Sequence, residues 1–177
     1  MSVQKLQVKI FATQDLEKSL ESYIPVFHRL IREDVVDEMM MDVADYTHVP
    51  RSVGVILVGH AADIAIDQGE DRPGLLYSRK REVPHDQPII PDTLRRALSL
   101  AQLLDGDKEV EGPKNFKTEE ILFRFPDRLH VQNDEAGFEA VRSEIENALA
   151  AQLGDQSYSL EREGDAREPL SIRARRN

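Results

Sequence analysis

No cysteine occurs among the 177 residues. That excludes disulfides, thiolate nucleophiles, zinc–thiolate centres and iron–sulfur clusters. No apolar run approaches the roughly 20 residues that a membrane-spanning helix needs. The opening MSVQKLQVKIF lacks the charged stretch followed by a long apolar one that marks a secretory signal. A cytoplasmic address without membrane contact is the resulting expectation. An excess of positive charge is missing too: 23 Lys and Arg stand against 33 Asp and Glu, a net charge of −10. Nucleic-acid binding depends on concentrated positive charge that releases counterions from phosphates. The basic runs SRKR (Ser78–Arg81) and RARRN (Arg173–Asn177) are short and sit in an acidic chain, so no nucleic-acid partner is expected.

Several complete motifs are absent as well. GEDRPGLL has the glycine spacing of a phosphate-binding loop, but Leu75 and Leu76 stand where Lys and Ser or Thr must reach phosphate and magnesium. DGDKEVEG starts like a calcium loop, yet Val110 replaces the turn glycine and Phe116 the closing glutamate. Neither G-x-S-x-G nor H-E-x-x-H occurs.

What is present is an ordinary globular composition, with 40% hydrophobic residues in a chain long enough to bury one core. A single compact domain over 1–177 is expected, its lobes 1–104 and 118–177 joined by the polar loop 105–117. KLQVKIFAT alternates as a strand, and Leu16, Leu20, Ile24, Phe27 and Leu30 recur at helical intervals. Pro25 predicts a kink there or a second helix that it opens. VGVILVGH and DIAID read as strands, LLYSRK as another, and Asp92–Thr93 as the start of a helix that Gly106 ends. EILFRFPDRLHVQND reads as a further hairpin turning at Pro126–Asp127. Asn133 or Asp134 then caps a helix, and SYSLERE and EPLSIRA close the chain as strands. The fold class expected is α+β, a mixed or antiparallel sheet of hairpins alternating with helices. ILVGHAADIAIDQ lies without a gap on ILFRFPDRLHVQN, which suggests a pseudo-duplication.

Two polar sets are the site candidates. His60, Asp63, Asp42 and Asp45, with His48 nearby, supply oxygen and imidazole donors suited to Mn²⁺, Fe²⁺ or Zn²⁺. Asp42, Asp45 and His48 share a face if that segment makes a helical turn. The plainer reading makes DIAID a wet hairpin face, with Asp63, Ala65 and Asp67 on one side. Arg72, Arg79, Lys80 and Arg81 form an anion-binding candidate, because guanidinium groups grip phosphate and carboxylate. Its plainer counterpart is pairing with the acidic segment 33–45. No catalytic residue is assigned and no cofactor is required.

At IPVFHRLI, DVADYTHVP, GVILVGHAAD and RPGLLYSRKR the chain resembles a family of uncharacterised bacterial proteins of unknown function. EILFRFPDRL and Asn133 also fit that resemblance. It implies no activity. Members of that family often carry an acidic residue directly after Gly-His, where this chain has Ala61. The function expected is a non-enzymatic binding or accessory protein that has a protein partner or self-associates through a sheet edge or helix face. The alternative is a metal-dependent, hydrolase-like enzyme in which the Asp/His set acts on an anionic substrate held by the arginines.

Overall fold

A computed structural model describes residues 3–80, 88–111, 116–154 and 156–177. Its first strand, β1 (Leu6–Ala12), buries Leu6, Val8 and Ile10 on one face and turns Gln7, Lys9 and Phe11 to the other. A 3-10 turn (Glu17–Ser22) then leads into α1 (Tyr23–Glu33). Pro25 lies in the first turn of α1, where its missing N–H has no helical partner to lose, so the helix runs unbroken after it.

Four strands follow: β2 (Met40–Asp45), β3 (Val55–Gly59), β4 (Ala62–Asp67) and β5 (Gly74–Arg79). The rest of the chain forms α2 (Ile89–Gly106), β6 (Phe116–Phe125), α3 (Glu135–Leu153), β7 (Tyr158–Glu163) and β8 (Leu170–Arg176). Asp134 caps α3, its carboxylate accepting the Gly137 N–H at 2.8 Å. α2 begins three residues before Asp92, so Asp92 lies inside the first turn rather than capping it.

The eight strands of the described residues form one sheet in the order β2-β3-β4-β5-β1-β6-β8-β7, every pair antiparallel. The protein is therefore α+β with an antiparallel sheet. Strands from 1–104 and from 118–177 share that sheet, meeting where β1 pairs with β6.

The segment after Pro126 does not return as a strand. Residues 128–131 make a turn in which the Asp127 carboxylate accepts the Leu129 N–H and pairs with His130. β6 finds its partners in β1 and β8 instead. The gapless match of the two ILxxx segments thus equates a hairpin with a single strand. A different internal repeat is visible in the topology. β1 is followed by α1 and later by the hairpin β4–β5, with β5 returning to pair with β1. β6 is followed by α3 and the hairpin β7–β8, with β8 returning to β6. The two β-α-β-β units meet back to back at β1 and β6, and β2–β3 extend one side.

One apolar cluster joins the three helices to a single face of the sheet, through Val8, Ile10, Ile64, Ile66, Tyr77, Phe123 and Ile172 among others. Phe11, Ala65 and Leu122 are also buried, yet lie outside that cluster on the opposite face. No helix among the described residues is long and apolar enough to cross a membrane.

Candidate functional site

The sequence-derived acid/histidine set falls on three neighbouring strands. His60 sits exposed at the tip of the β3–β4 hairpin, its backbone N–H donating to the Met39 carbonyl at 2.9 Å. Gly59 before it is set by packing, since a Cβ there would stand 2.4 Å from the Ala62 carbonyl oxygen and 2.9 Å from Met40 Sδ. Asp63 accepts the Gly59 N–H at 3.2 Å and the Lys80 ammonium at 2.8 Å. The segment of Asp42 and Asp45 is a strand rather than a helical turn, so residues three apart point to opposite faces. Asp42 accepts the N–H of its neighbour Val43 at 2.8 Å. Asp45 binds the Thr47 hydroxyl at 2.7 Å and the Thr47 N–H at 2.8 Å, and these hydrogen bonds lower its carboxyl pKa. His48 is exposed, its ring centroid 6.5 Å from that of Tyr46.

Asp42, Val58 and Asp63 stand in one row across β2, β3 and β4, which puts the two carboxylates about 10 Å apart. Among the described residues, no three His, Asp or Glu side chains group closely enough to hold a metal ion.

The basic set does not converge either. The guanidinium of Arg72 lies 3.9 Å from the centre of the Phe11 ring and pairs with Glu120 at 2.6 Å. Arg79, at the far end of β5, points into the helix layer and meets Asp92 at 2.7 Å. Lys80 turns to the other face, towards Asp63. Arg81 lies outside the described residues. Among the described residues Arg72, Arg79 and Lys80 pair with Glu120, Asp92 and Asp63, which lie outside the acidic segment 33–45.

Two assemblies that the sequence reading missed are more developed. The first lies between α2 and the loop after α1. Asp92, buried, accepts hydrogen bonds from Arg79, Arg95 and Arg96 at 2.7, 2.9 and 2.9 Å. Burial works to raise its pKa, but the three guanidinium groups outweigh it and hold the carboxyl at about 2. Arg96 also meets Glu38 at 3.3 Å, and Glu38 accepts the Tyr77 hydroxyl. Burial pushes the Tyr77 phenol above its usual range, with the charge and hydrogen bond of Glu38 adding to it. Tyr77 therefore remains a donor. The spacing of Asp92, Arg95 and Arg96 at i, i+3 and i+4 is a sequence signal for part of this network. Glu38 and Arg79 join it only through the fold.

The second assembly is the helix-free face itself. One row crosses all eight strands, running Asp42, Val58, Asp63, Ser78, Gln7, Arg124, Ser171, Glu163. The next row on that face is Ala44, Ile56, Ala65, Leu76, Lys9, Leu122, Arg173, Glu161. Four apolar side chains on adjacent strands, with Leu122 beyond the stem of Lys9, make a stripe that no helix of the described residues covers; Ala65 and Leu122 are buried within it, and Ala44, Ile56 and Leu76 are half-buried. The Gly69–Asp71 turn reaches over the face, and Glu70 meets Arg124 at 3.0 Å. Beside Lys9, Leu76 and Leu122 lies a depression of about 250 Å³.

No family model matches the chain, and no curated protein matches it.

Proposed function

We propose that this is a non-enzymatic, cytoplasmic binding protein that works as a homodimer assembled through the helix-free face of its sheet. The observation that carries this reading is the stripe Ala44–Ile56–Ala65–Leu76, continued by Leu122, on a face that no helix of the described residues covers. Apolar surface of that extent on a sheet is stabilised when a second layer packs on it.

Charge argues for a second copy as that layer. The β2–β4 side of the face carries Asp42, Asp63, Asp67 and Glu70, with Lys80 against Asp63. The β1–β6–β8 side carries Lys9, Arg124, Arg173 and Arg175; within the same copy Lys9 pairs with Asp67, Arg124 with Glu70, and Arg173 and Arg175 with Glu120, Glu161 and Glu163. A two-fold axis parallel to the strands and midway between β5 and β1 lays β4 of one copy over β6 of the other. Asp63 then faces Arg124 of the second copy, and Ala65 faces its Leu122. The side chains of Asp63 and Arg124 are 30% and 33% exposed, which leaves each able to take a second partner.

Size agrees with this arrangement. Eight strands about 4.8 Å apart and about 20 Å long present roughly 700 Å² per copy, close to the roughly 800 Å² of a standard interface. Sedimentation equilibrium over a hundredfold range of concentration tests the reading. A dimer is expected, with Leu76→Asp monomeric and still folded by circular dichroism. A wild-type monomer at every concentration contradicts it.

A further inference from the structure

Exposed apolar side chains are concentrated at one edge of the sheet. Of the large ones exposed among the described residues, Val35, Met39, Met41, Tyr46 and Val49 lie within 35–49, and only Leu129 lies elsewhere. That segment contains β2, which ends the sheet. It is also acidic: 33–47 holds Glu33, Asp34, Asp37, Glu38, Asp42 and Asp45 and no Lys or Arg. Glu33, Asp37 and Glu38 pair with arginines of α1 and α2. Asp42 and Asp45, on β2 itself, meet no Lys or Arg among the described residues and bind only Val43 and Thr47.

The backbone of β2 is open on its outer side. The Tyr46 N–H bonds to the Gly54 carbonyl, so Ala44 and Asp42 direct their backbone groups to β3. Val43 and Asp45 then turn their N–H and C=O groups out of the sheet. The Asp42 carboxylate accepts the Val43 N–H at 2.8 Å. Such an edge is a template for a further strand, and charge decides which one. β2 of a second copy would set aspartates against aspartates. The other edge, β7, would bring Glu161 and Glu163 with one arginine, Arg162, which Asn133 already holds. A basic strand of another protein meets neither obstacle.

We propose that β2 takes up an extended basic segment of a partner protein as a further strand, antiparallel like every pair in the sheet. Opposite charges are favoured directly across a strand pair. One basic residue therefore faces Asp45 and another faces Asp42, with two apolar residues between them opposite Ala44 and Val43. Apolar residues on either side meet Tyr46 and Met41, both exposed. The basic group opposite Asp42 draws that carboxylate away and frees the Val43 N–H for the incoming chain. An acidic strand leaves this donor occupied. The edge points sideways from the sheet, so this surface is separate from the helix-free face and does not depend on the dimer.

The capped hexapeptide VKVIRL carries the pattern, and VEVIEL reverses its charges. N-methylation of the lysine in VKVIRL keeps the charge and removes the N–H that the Asp45 carbonyl accepts. Fluorescence anisotropy with the wild-type protein is expected to show binding of VKVIRL and none of VEVIEL. The N-methylated peptide is expected to bind about tenfold more weakly. Hydrogen exchange at the Asp45 amide is expected to slow when VKVIRL is bound. Asp42→Asn/Asp45→Asn keeps the side-chain acceptors for Val43 and Thr47, removes both charges, and is expected to weaken VKVIRL about tenfold. Should that variant not fold, the three peptides test the wild type by themselves. No binding of VKVIRL, equal affinity for either control peptide, or unchanged affinity in the double variant would each overturn the inference. Protection of the Asp45 amide that rises with protein concentration in the absence of peptide would also overturn it, by making the occupant a second copy.

Discussion

The ammonium of Lys9 lies 2.5 Å from the carboxylate of Asp67, and both side chains are buried on the face without helices. β5 runs between their strands, and its Gly74, opposite Asp67, has no side chain in the way. The same pair anchors the turn that carries Glu70: Gly69 donates its N–H to Asp67 at 3.2 Å, and its carbonyl lies 3.4 Å from Lys9 Nζ. Removing one member strands a buried charge, whereas replacing both by apolar groups does not. Asp67→Ala is expected to cost about 3 kcal/mol in urea unfolding. The double variant Lys9→Met/Asp67→Leu is expected to recover most of that loss. Equal destabilisation by single and double variants would contradict this account of the pair.

Asp92 makes acid stability predictable in sign. Its folded pKa of about 2 lies below the unfolded value of about 3.9. The group therefore contributes its full stabilisation above about pH 4 and loses it as pH falls towards 2. Asp92→Asn leaves three guanidinium groups without their shared anion and is expected to cost about 3 kcal/mol at neutral pH. Urea titrations across pH should show the gap between wild type and variant closing below pH 4. A gap independent of pH would contradict the assignment.

Gly59 and His60 separate packing from chemistry. Gly59→Ala drives a methyl group into the Ala62 carbonyl and Met40. It is expected to destabilise the fold by more than 2 kcal/mol, in the range of overpacked sites. His60→Ala, at an exposed tip, is expected to change stability by less than about 0.5 kcal/mol. Comparable thermal shifts for the two variants would contradict that division.

Asp42 guards the edge strand β2. The Tyr46 N–H bonds to the Gly54 carbonyl, and antiparallel alternation from that pair turns the Val43 N–H outward, where Asp42 accepts it. Met39, Met41, Tyr46 and Val49 are exposed beside it, a composition that invites pairing with another edge. Asp42→Ala is expected to leave the melting temperature within about 2 °C while raising the aggregation rate followed by light scattering. An unchanged aggregation rate would remove this role.

Local periodicity made most strands and helices legible, because alternation and the three-to-four spacing report burial directly. The network of Asp92 is only partly legible in the sequence, because Arg79 comes from β5, a contact that no local pattern displays. β2 is not legible as a strand because an edge strand turns few side chains to the core. MMDVAD is mostly exposed, and its aspartates suggested a ligand set instead. The matching letters at 56–68 and 121–133 fall on unlike structure, whereas the repeat lies in how β5 and β8 return to β1 and β6. The apolar stripe was invisible for the same reason. Ile56, Ala65, Leu76 and Leu122 come from four strands and become neighbours only through the sheet register.

The dimer is tested most directly by two charge-reversed proteins, Asp63→Arg and Arg124→Asp, examined alone and mixed. Under the two-fold arrangement each variant alone brings like charges together at both symmetry-related positions, and the mixture restores opposite charges at both. Sedimentation equilibrium should find each variant monomeric and their equimolar mixture dimeric. Two variants that dimerise as the wild type does, or a mixture that stays monomeric, would contradict assembly through this face.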